Sequence, residues 1–383
     1  MILTEIQKQY GPKQILFEAK SRIEHPEDLV CSDGSLGAKS AVNSLLAAAT
    51  TPKLSQIKWD GAPAGIAGRV HGKFTLTDKK GFAKYDMGGL PMSEKDLYNM
   101  MFDRFPGSPG RDIFSKSFAG LFPLLDRALP VNFKGFIQFD VLWFTRPIQY
   151  GKDDNRTFKF KPNKINYSVP VNSEMGIKIA NSQMGIVVHS YFNSPLEMEP
   201  IAITDLKELH LNPSPGLVIL GPTTVGEKIV PSALKPCRDL LQFINSKQTV
   251  IDAFLNKTLL SSLKITDLGS LLKSFLANLA SQGKKPDKNI TFEFKSFLDR
   301  KVSKTKAENI KKYLLENKDG YLAICKIILA TVMIKNIIKH EFDKVPGNIT
   351  ASLNGIPGHE GFVSSTPYGK IKLVDRPTFM RHL

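Results

Sequence analysis

Residues 55–64 read "SQIKWDGAPA". Lys58 stands two residues ahead of Asp60-Gly61, a turn pair in which Gly61 tolerates positive φ. Small and apolar residues surround it. A nucleophilic lysine has to be deprotonated near neutral pH, which partial burial and neighbouring cations promote. It also has to face a bound electrophile, and a strand end leading into a turn meets that demand. A solvated lysine before a turn is the ordinary alternative, so the residues elsewhere in the chain decide between the two.

Working outward, short strands are predicted in "LSQIKWD" (54–60), "AGIAGRV" (64–70) and "KFTLTD" (73–78), with glycine-bearing turns between them. Upstream, "SLGAKSAVNSLLAAAT" (35–50) reads as a helix with Ser35 as its cap. Downstream, residues 93–105 open on a capping-box pattern, Ser93 with Asp96. A further helix is expected over much of 111–128, bent near Pro123. "GFIQFDVLWF" (135–144) is a strand with Ile137, Phe139, Val141 and Trp143 on one face and Gln138 and Asp140 on the other. A carboxylate on so apolar a strand is costly to bury alone and calls for a partner or a ligand. Extended pieces follow at 157–162, 165–170, 184–192 and 216–222.

From about Pro231 the pattern becomes helix after helix, through 345. This block holds 21 Lys and Arg against 11 Asp and Glu, a net of +10 out of +16 for the chain. Such a balance, with a pI of about 9.5, points to a polyanionic partner, most often nucleic acid. Its leucines and isoleucines at helical spacing make a core, and its lysines a solvated face able to hold phosphates. Glycine returns at 347–361, and a linker is expected at about 346.

The 383 residues suffice for two or three domains. No run of about 18 apolar residues is evident, so no membrane span is expected. The N-terminus lacks a signal-peptide pattern. Cys31, Cys237 and Cys325 are scattered and the histidines show no ligand spacing, which argues for a reducing compartment and against zinc. The expectation is a cytoplasmic monomer, in a host's cytoplasm if the chain is phage-encoded. "GPTTVGEK" (221–228) falls short of a P-loop, because Ile229 stands where Ser or Thr would meet Mg²⁺.

The partner for Lys58 lies in "HEGFVSSTPYGKIKL" (359–373). Lys370 and Lys372 alternate with Ile371 and Leu373, so both lysines share one strand face. Two adjacent ammonium groups repel unless an anion such as a triphosphate lies near them. Glu360 offers oxygen to a hard cation such as Mg²⁺, and Asp140 is a second carboxylate of that kind. "TFKFKPNK" (157–164) alternates Lys159 and Lys161 in the same way, without a preceding Glu-Gly, and suits nucleic-acid contact or a sheet rim.

In order, "KWDG", "QFDVLW", "EGFV" and "KIKL" resemble the motifs of the covalent nucleotidyltransferase superfamily: ATP-dependent DNA ligases, RNA ligases and mRNA capping enzymes. The resemblance covers about two-thirds of the chain and omits the helical block. It implies an α+β, ATP-grasp-like nucleotidyltransferase domain of antiparallel sheets over 1–230 and 346–383. A basic helical insertion at 231–345 would interrupt it as a nucleic-acid clamp. It implies Lys58 as the nucleophile, Asp60 and Gly61 completing its motif, and Lys370 and Lys372 as phosphate lysines. Gln56 would meet the purine edge and Lys80 of "LTDKKGF" the nucleotide sugar. Glu360 and Asp140 would hold Mg²⁺, and Phe139 would stack on the base if its strand is the family's aromatic one. The chain departs from the family in "APAGIAG" (62–68), where ligases often carry arginine, and in the roughly 215 residues between the third and fourth motifs. Only 11 residues follow Lys372, too few for the usual OB-fold. The expected activity is ATP-dependent sealing of nicks in duplex DNA. The alternatives are an RNA ligase, a GTP-using capping-type guanylyltransferase, and a non-enzymatic nucleic-acid-binding protein on the same scaffold.

Overall fold

The computed structural model describes residues 23–84, 89–152, 155–193, 201–203, 205–265, 267–344 and 349–380. The strands are β1 (Ser55–Lys58), β2 (Ala64–Val70), β3 (Lys73–Asp78), β4 (Phe136–Trp143), β5 (Ile148–Tyr150), β6 (Thr157–Phe160) and β7 (Asn166–Pro170). They continue with β8 (Ser182–Phe192), β9 (Ile201–Ala202), β10 (Gly216–Leu220), β11 (Thr350–Leu353), β12 (Ile356–Pro357), β13 (Gly361–Thr366) and β14 (Gly369–Val374). The helices begin with α1 (Pro26–Thr50), α2 (Lys79–Lys84), α3 (Glu94–Asp103), α4 (Arg111–Ala119), α5 (Leu121–Ala128) and α6 (Glu174–Ala180). A helical segment follows: α7 (Pro231–Phe254), α8 (Lys257–Ser262), α9 (Leu268–Ser281), α10 (Ile290–Lys301), α11 (Lys304–Glu316) and α12 (Lys318–Asp343). The last helix is α13 (Arg376–Met380). The protein is thus mixed α+β, with three sheets.

The chain forms two compact units and, among the described residues, crosses between them at Lys58–Trp59, Thr223–Thr224 and His359–Glu360. The sheet unit holds Trp59–Thr223 and the described part of Pro346–His359. Its larger sheet runs β10-β8-β4-β2-β3, with β9 beside β8, and its second runs β12-β11-β7-β6-β5. The sheets are antiparallel except that β10 lies parallel to β8, a pairing that the long connection from Phe192 to Gly216 permits. Ile137, Phe139 and Val141 of β4 bury against Leu97, Phe118 and Leu125 of α3–α5. Ser93 caps α3 as its sequence predicts, its hydroxyl accepting from the Asp96 amide at 3.1 Å. The break expected near Pro123 falls instead at Gly120, between α4 and α5. Pro123 sits in the first turn of α5, where no intrahelical partner for its missing N–H is needed.

The helical unit holds Ile23–Lys58, together with the described parts of Thr224–Val345 and Glu360–Leu383. The helical segment does not have a core of its own. Val42 and Leu45 of α1, Ile244 and Phe254 of α7, Ile328 and Ile338 of α12, and Phe362, Ile371 and Leu373 of the sheet β1-β13-β14 form one cluster. The boundary expected near 346 lies outside the described residues. Helix α1 is kinked at Asp33 and Gly34, so its second half does begin at Ser35. Ser35 is not its own cap. Asp252 of α7 takes the Ser35 amide at 2.8 Å and the Ser35 hydroxyl at 2.7 Å. The three cysteines are buried, and burial pushes their thiols up.

By length and composition α12 is apolar enough to cross a membrane, with a mean hydropathy of 1.9 over its most apolar window. Of that window, 61% is buried within the protein, as in the central helix of a bundle. Lys335 lies on its buried stripe and donates to Glu27 Oε1 at 2.5 Å. Beside that pair, Arg376 donates to Asp28 Oδ1 at 2.7 Å.

Burial pushes the Asp28 carboxyl up to about 6, against the pull of Arg376 and with a further upward push from Glu27. The folded chain therefore keeps a proton that the unfolded chain has released between about pH 4 and pH 6. Its stability falls as pH rises through that window. Asp28→Asn is expected to flatten this fall, a difference of about 1–3 kcal/mol. Urea melts of both proteins at pH 4, 5, 6 and 7 measure it, and parallel pH profiles would refute it.

Candidate active site

Strand β1 is the middle of a small structure. Its antiparallel partner β13 sets Gln56 opposite Val363 and Lys58 opposite Gly361. On its other edge Gln56 bridges Thr224, and the Val225 amide donates to the Ser55 carbonyl at 2.8 Å. This is the "GPTTVGEK" stretch, used here to brace the lysine strand. On the far side of β13, β14 sets Lys372 opposite Val363 and Lys370 opposite Ser365.

Residues opposite one another across a sheet share a face. One face, with Ile57, Phe362, Ile371 and Leu373, enters the helical core. The other therefore carries Gln56, Lys58, Lys370 and Lys372 together. Gln56 and Lys372 are two strand spacings apart, about 10 Å. Lys58 donates through Nζ to Glu360 Oε2. The Glu360 side chain is 6% exposed and that of Lys58 29% exposed, so the pair is set into the protein with the amine reachable from solvent. Lys58 and Lys370, 312 residues apart in sequence, thus share one sheet face, with β13 between their strands.

The sheet unit holds the other expected residues. Asp60 is buried, and its carboxylate accepts from Asn163 Nδ2 at 2.9 Å and from the amides of Lys164 at 2.6 Å and Ile165 at 2.8 Å. Its own amide donates to Tyr167 Oη at 2.8 Å. Both carboxylate oxygens thus have protein donors, and Asp60 serves to anchor the 163–165 turn. Gly61 lies against β4, where an added Cβ would come 2.5 Å from Asp140 Cβ and 3.0 Å from the Val141 carbonyl oxygen. Gly61→Ala is expected to cost about 1–3 kcal/mol, because backbone must move to relieve the overlap. An unchanged urea midpoint would contradict this.

Asp140 is half-buried, with its Oδ2 3.7 Å from His189 Nε2. His189 escapes sequence reasoning because a register shift in β4–β8, between Gln138 and Phe139, brings it to that carboxylate. Phe139 corrects the expectation of a base-stacking ring. It is fully buried, and its ring covers Gly65 of β2, leaving no face for a nucleotide. Lys80 is exposed on α2, with its Nζ 5.8 Å from the centroid of the Phe105 ring.

Among the described residues no group of three or more His, Cys, Asp or Glu side chains is placed to hold a metal ion. Mg²⁺ usually needs only one or two carboxylates, with substrate phosphates and water completing its shell. Glu360 beside the lysine-bearing face fits that lighter requirement.

Fold and site together define a mixed α+β protein with a lysine–carboxylate pair on a lysine-bearing sheet face. The chain belongs to a family of unknown function, DUF6267, which matches residues 20–382. No curated protein and no solved structure matches it.

Proposed function

We propose that the protein is an ATP-dependent polynucleotide ligase working through a lysyl-AMP intermediate, on an ATP-grasp-like nucleotidyltransferase scaffold. The observation that carries the reading is the Lys58–Glu360 pair on the sheet face that also bears Gln56, Lys370 and Lys372. The Lys58 amine attacks the α-phosphorus of ATP. A nitrogen–phosphorus bond forms, the α–β bridging bond breaks and pyrophosphate leaves. The ammonium proton leaves through Glu360 Oε2 to water. Lys370 and Lys372 hold the phosphate oxygens as their charge redistributes, and Gln56 meets the purine edge. Mg²⁺ would be held by Glu360 and the substrate phosphates, and would supply charge neutralisation there.

The nucleotide then passes to a 5′-phosphate end, and a 3′-hydroxyl displaces AMP to seal the strand. The net +10 of the 231–345 block supports a grip on a duplex backbone, which favours nicked DNA over RNA. The experiment is incubation with α-labelled ATP or GTP and Mg²⁺, read as labelled protein on a denaturing gel, then transfer to nicked DNA or nicked RNA. Labelling by GTP alone would make it a capping-type transferase. No adduct with either nucleotide, alongside salt-sensitive binding, would make it a non-enzymatic nucleic-acid-binding protein.

A further inference from the structure

The sheet unit has a cleft of about 660 Å³. Phe114, Phe144, Arg146, Ile148, Lys159 and Lys161 line it, and no Asp or Glu among the described residues does. The volume is that of an ordinary ligand site. A second depression of about 290 Å³ adjoins it, sharing Phe114 and running to Phe105 and Arg111, again without an acidic residue.

Cations and rings alternate along this surface. The Arg111 guanidinium lies 5.3 Å from the Phe105 centroid and 5.1 Å from that of Phe114. Lys80 Nζ lies 5.8 Å from the Phe105 centroid, and Lys159 Nζ lies 5.0 Å over the Tyr150 ring. Phe105, Ile148 and Tyr150 are large apolar side chains left 54%, 68% and 48% exposed. The last two stand on β5, the edge strand of its sheet.

We propose that this track binds single-stranded nucleic acid, with bases stacked on Phe105, Phe114 and Tyr150 and phosphates held by Arg146, Lys159 and Lys161. Three cations with no carboxylate among the described lining residues call for an anion. The exposed rings of Phe105 and Tyr150, with the half-buried Phe114 shared by both depressions, call for several flat apolar groups joined in a chain. A duplex keeps its base faces inside the stack and would use only the charges, whereas an unpaired strand uses both. The inference does not rest on nucleotidyl transfer, since it concerns binding alone.

The test is fluorescence anisotropy of a labelled 12-residue oligothymidylate with the full chain, at two salt concentrations. The combined variant Arg146→Ala/Lys159→Ala/Lys161→Ala is expected to bind at least roughly tenfold more weakly and with a shallower salt dependence. Tyr150→Ala and Phe105→Ala are each expected to lose roughly fivefold or more, while Tyr150→Phe, which keeps the ring, binds as the parent does. All these side chains are exposed, and circular dichroism checks that each variant folds. Unchanged affinity in both ring variants, or ring variants that lose as much affinity for a blunt duplex as for oligothymidylate, would overturn the proposal. ATP labelling of the same proteins is scored separately, so loss of labelling with binding intact counts against the ligase reading alone.

Discussion

Lys58→Ala is expected to abolish labelling of the protein by α-labelled ATP, a loss of roughly a thousandfold or more, as for removal of other covalent nucleophiles. Lys58→Arg should be equally inactive, because a guanidinium does not give up its proton to become a nucleophile. That second variant separates the roles open to Lys58: a phosphate-binding cation would survive replacement by arginine in part, and a nucleophile would not. Lys370→Ala and Lys372→Ala should weaken labelling and leave it measurable, since each removes one phosphate contact and no reacting atom. The fold needs its own control. Truncating Lys58 leaves the buried Glu360 without this cation, so some stability is lost along with the amine. Because Lys58 is itself partly solvated, that loss should be about 1 kcal/mol. Lys58→Ala/Glu360→Gln should recover stability, read by thermal midpoint, and recover no label. Label persisting on Lys58→Ala, or label restored in the double variant, would remove Lys58 as the nucleophile.

Local chemistry made much of this fold legible. β2 and β3 occupy the predicted stretches because alternation and glycine turns mark both ends. Ser93 caps α3, and Lys370 and Lys372 share a face, for equally local reasons. Helix α10 falls within the block read as helix after helix, although "ITFEFKSF" taken alone opens with β-branched and aromatic residues that fit a strand as well as a helix. What the sequence concealed is long-range. The cap of the second half of α1 comes from Asp252, 217 residues away. Nothing near Asp60 signals that its carboxylate meets the amides of Lys164 and Ile165. The alternation in β4 placed Phe139 and Asp140 on opposite faces, and only the packing of α3–α5 over one of them tells which is core. The helical segment looked like a separate insertion because its partners, α1 and the strands of the lysine-bearing sheet, come from both ends of the chain. Sequence distance carries no record of a shared core.

Lys335→Ala is expected to cost about 3–5 kcal/mol, the largest stability effect of any single substitution considered for this chain. Lys335 is 2% exposed on the stripe where α12 otherwise buries Ile328, Thr331, Ile338 and Phe342. Its ammonium lies 2.5 Å from Glu27 Oε1, and the Glu27 side chain is 3% exposed. Removing the amine leaves a carboxylate in the core with Asp28 next to it. Among the described residues the closest remaining cation is Arg376, 3.7 Å from Glu27 and already engaged by Asp28 at 2.7 Å. The penalty is therefore that of an unpaired buried charge rather than of a lost contact, and it tells the variants apart. Lys335→Met keeps the side-chain length and still leaves Glu27 unpaired, so it should be nearly as damaging as alanine. Glu27→Gln/Lys335→Met removes both charges and should regain most of the loss, because apolar replacements for a buried ion pair are commonly neutral or better. On the usual scale for a domain of this size, Lys335→Ala lowers the melting transition by roughly 10 °C. A midpoint within 2 °C of the parent, or a double variant no more stable than Lys335→Met, would mean that water or another group reaches Glu27 when the lysine is gone. Arg376 would then be the cation that holds α1 to this core.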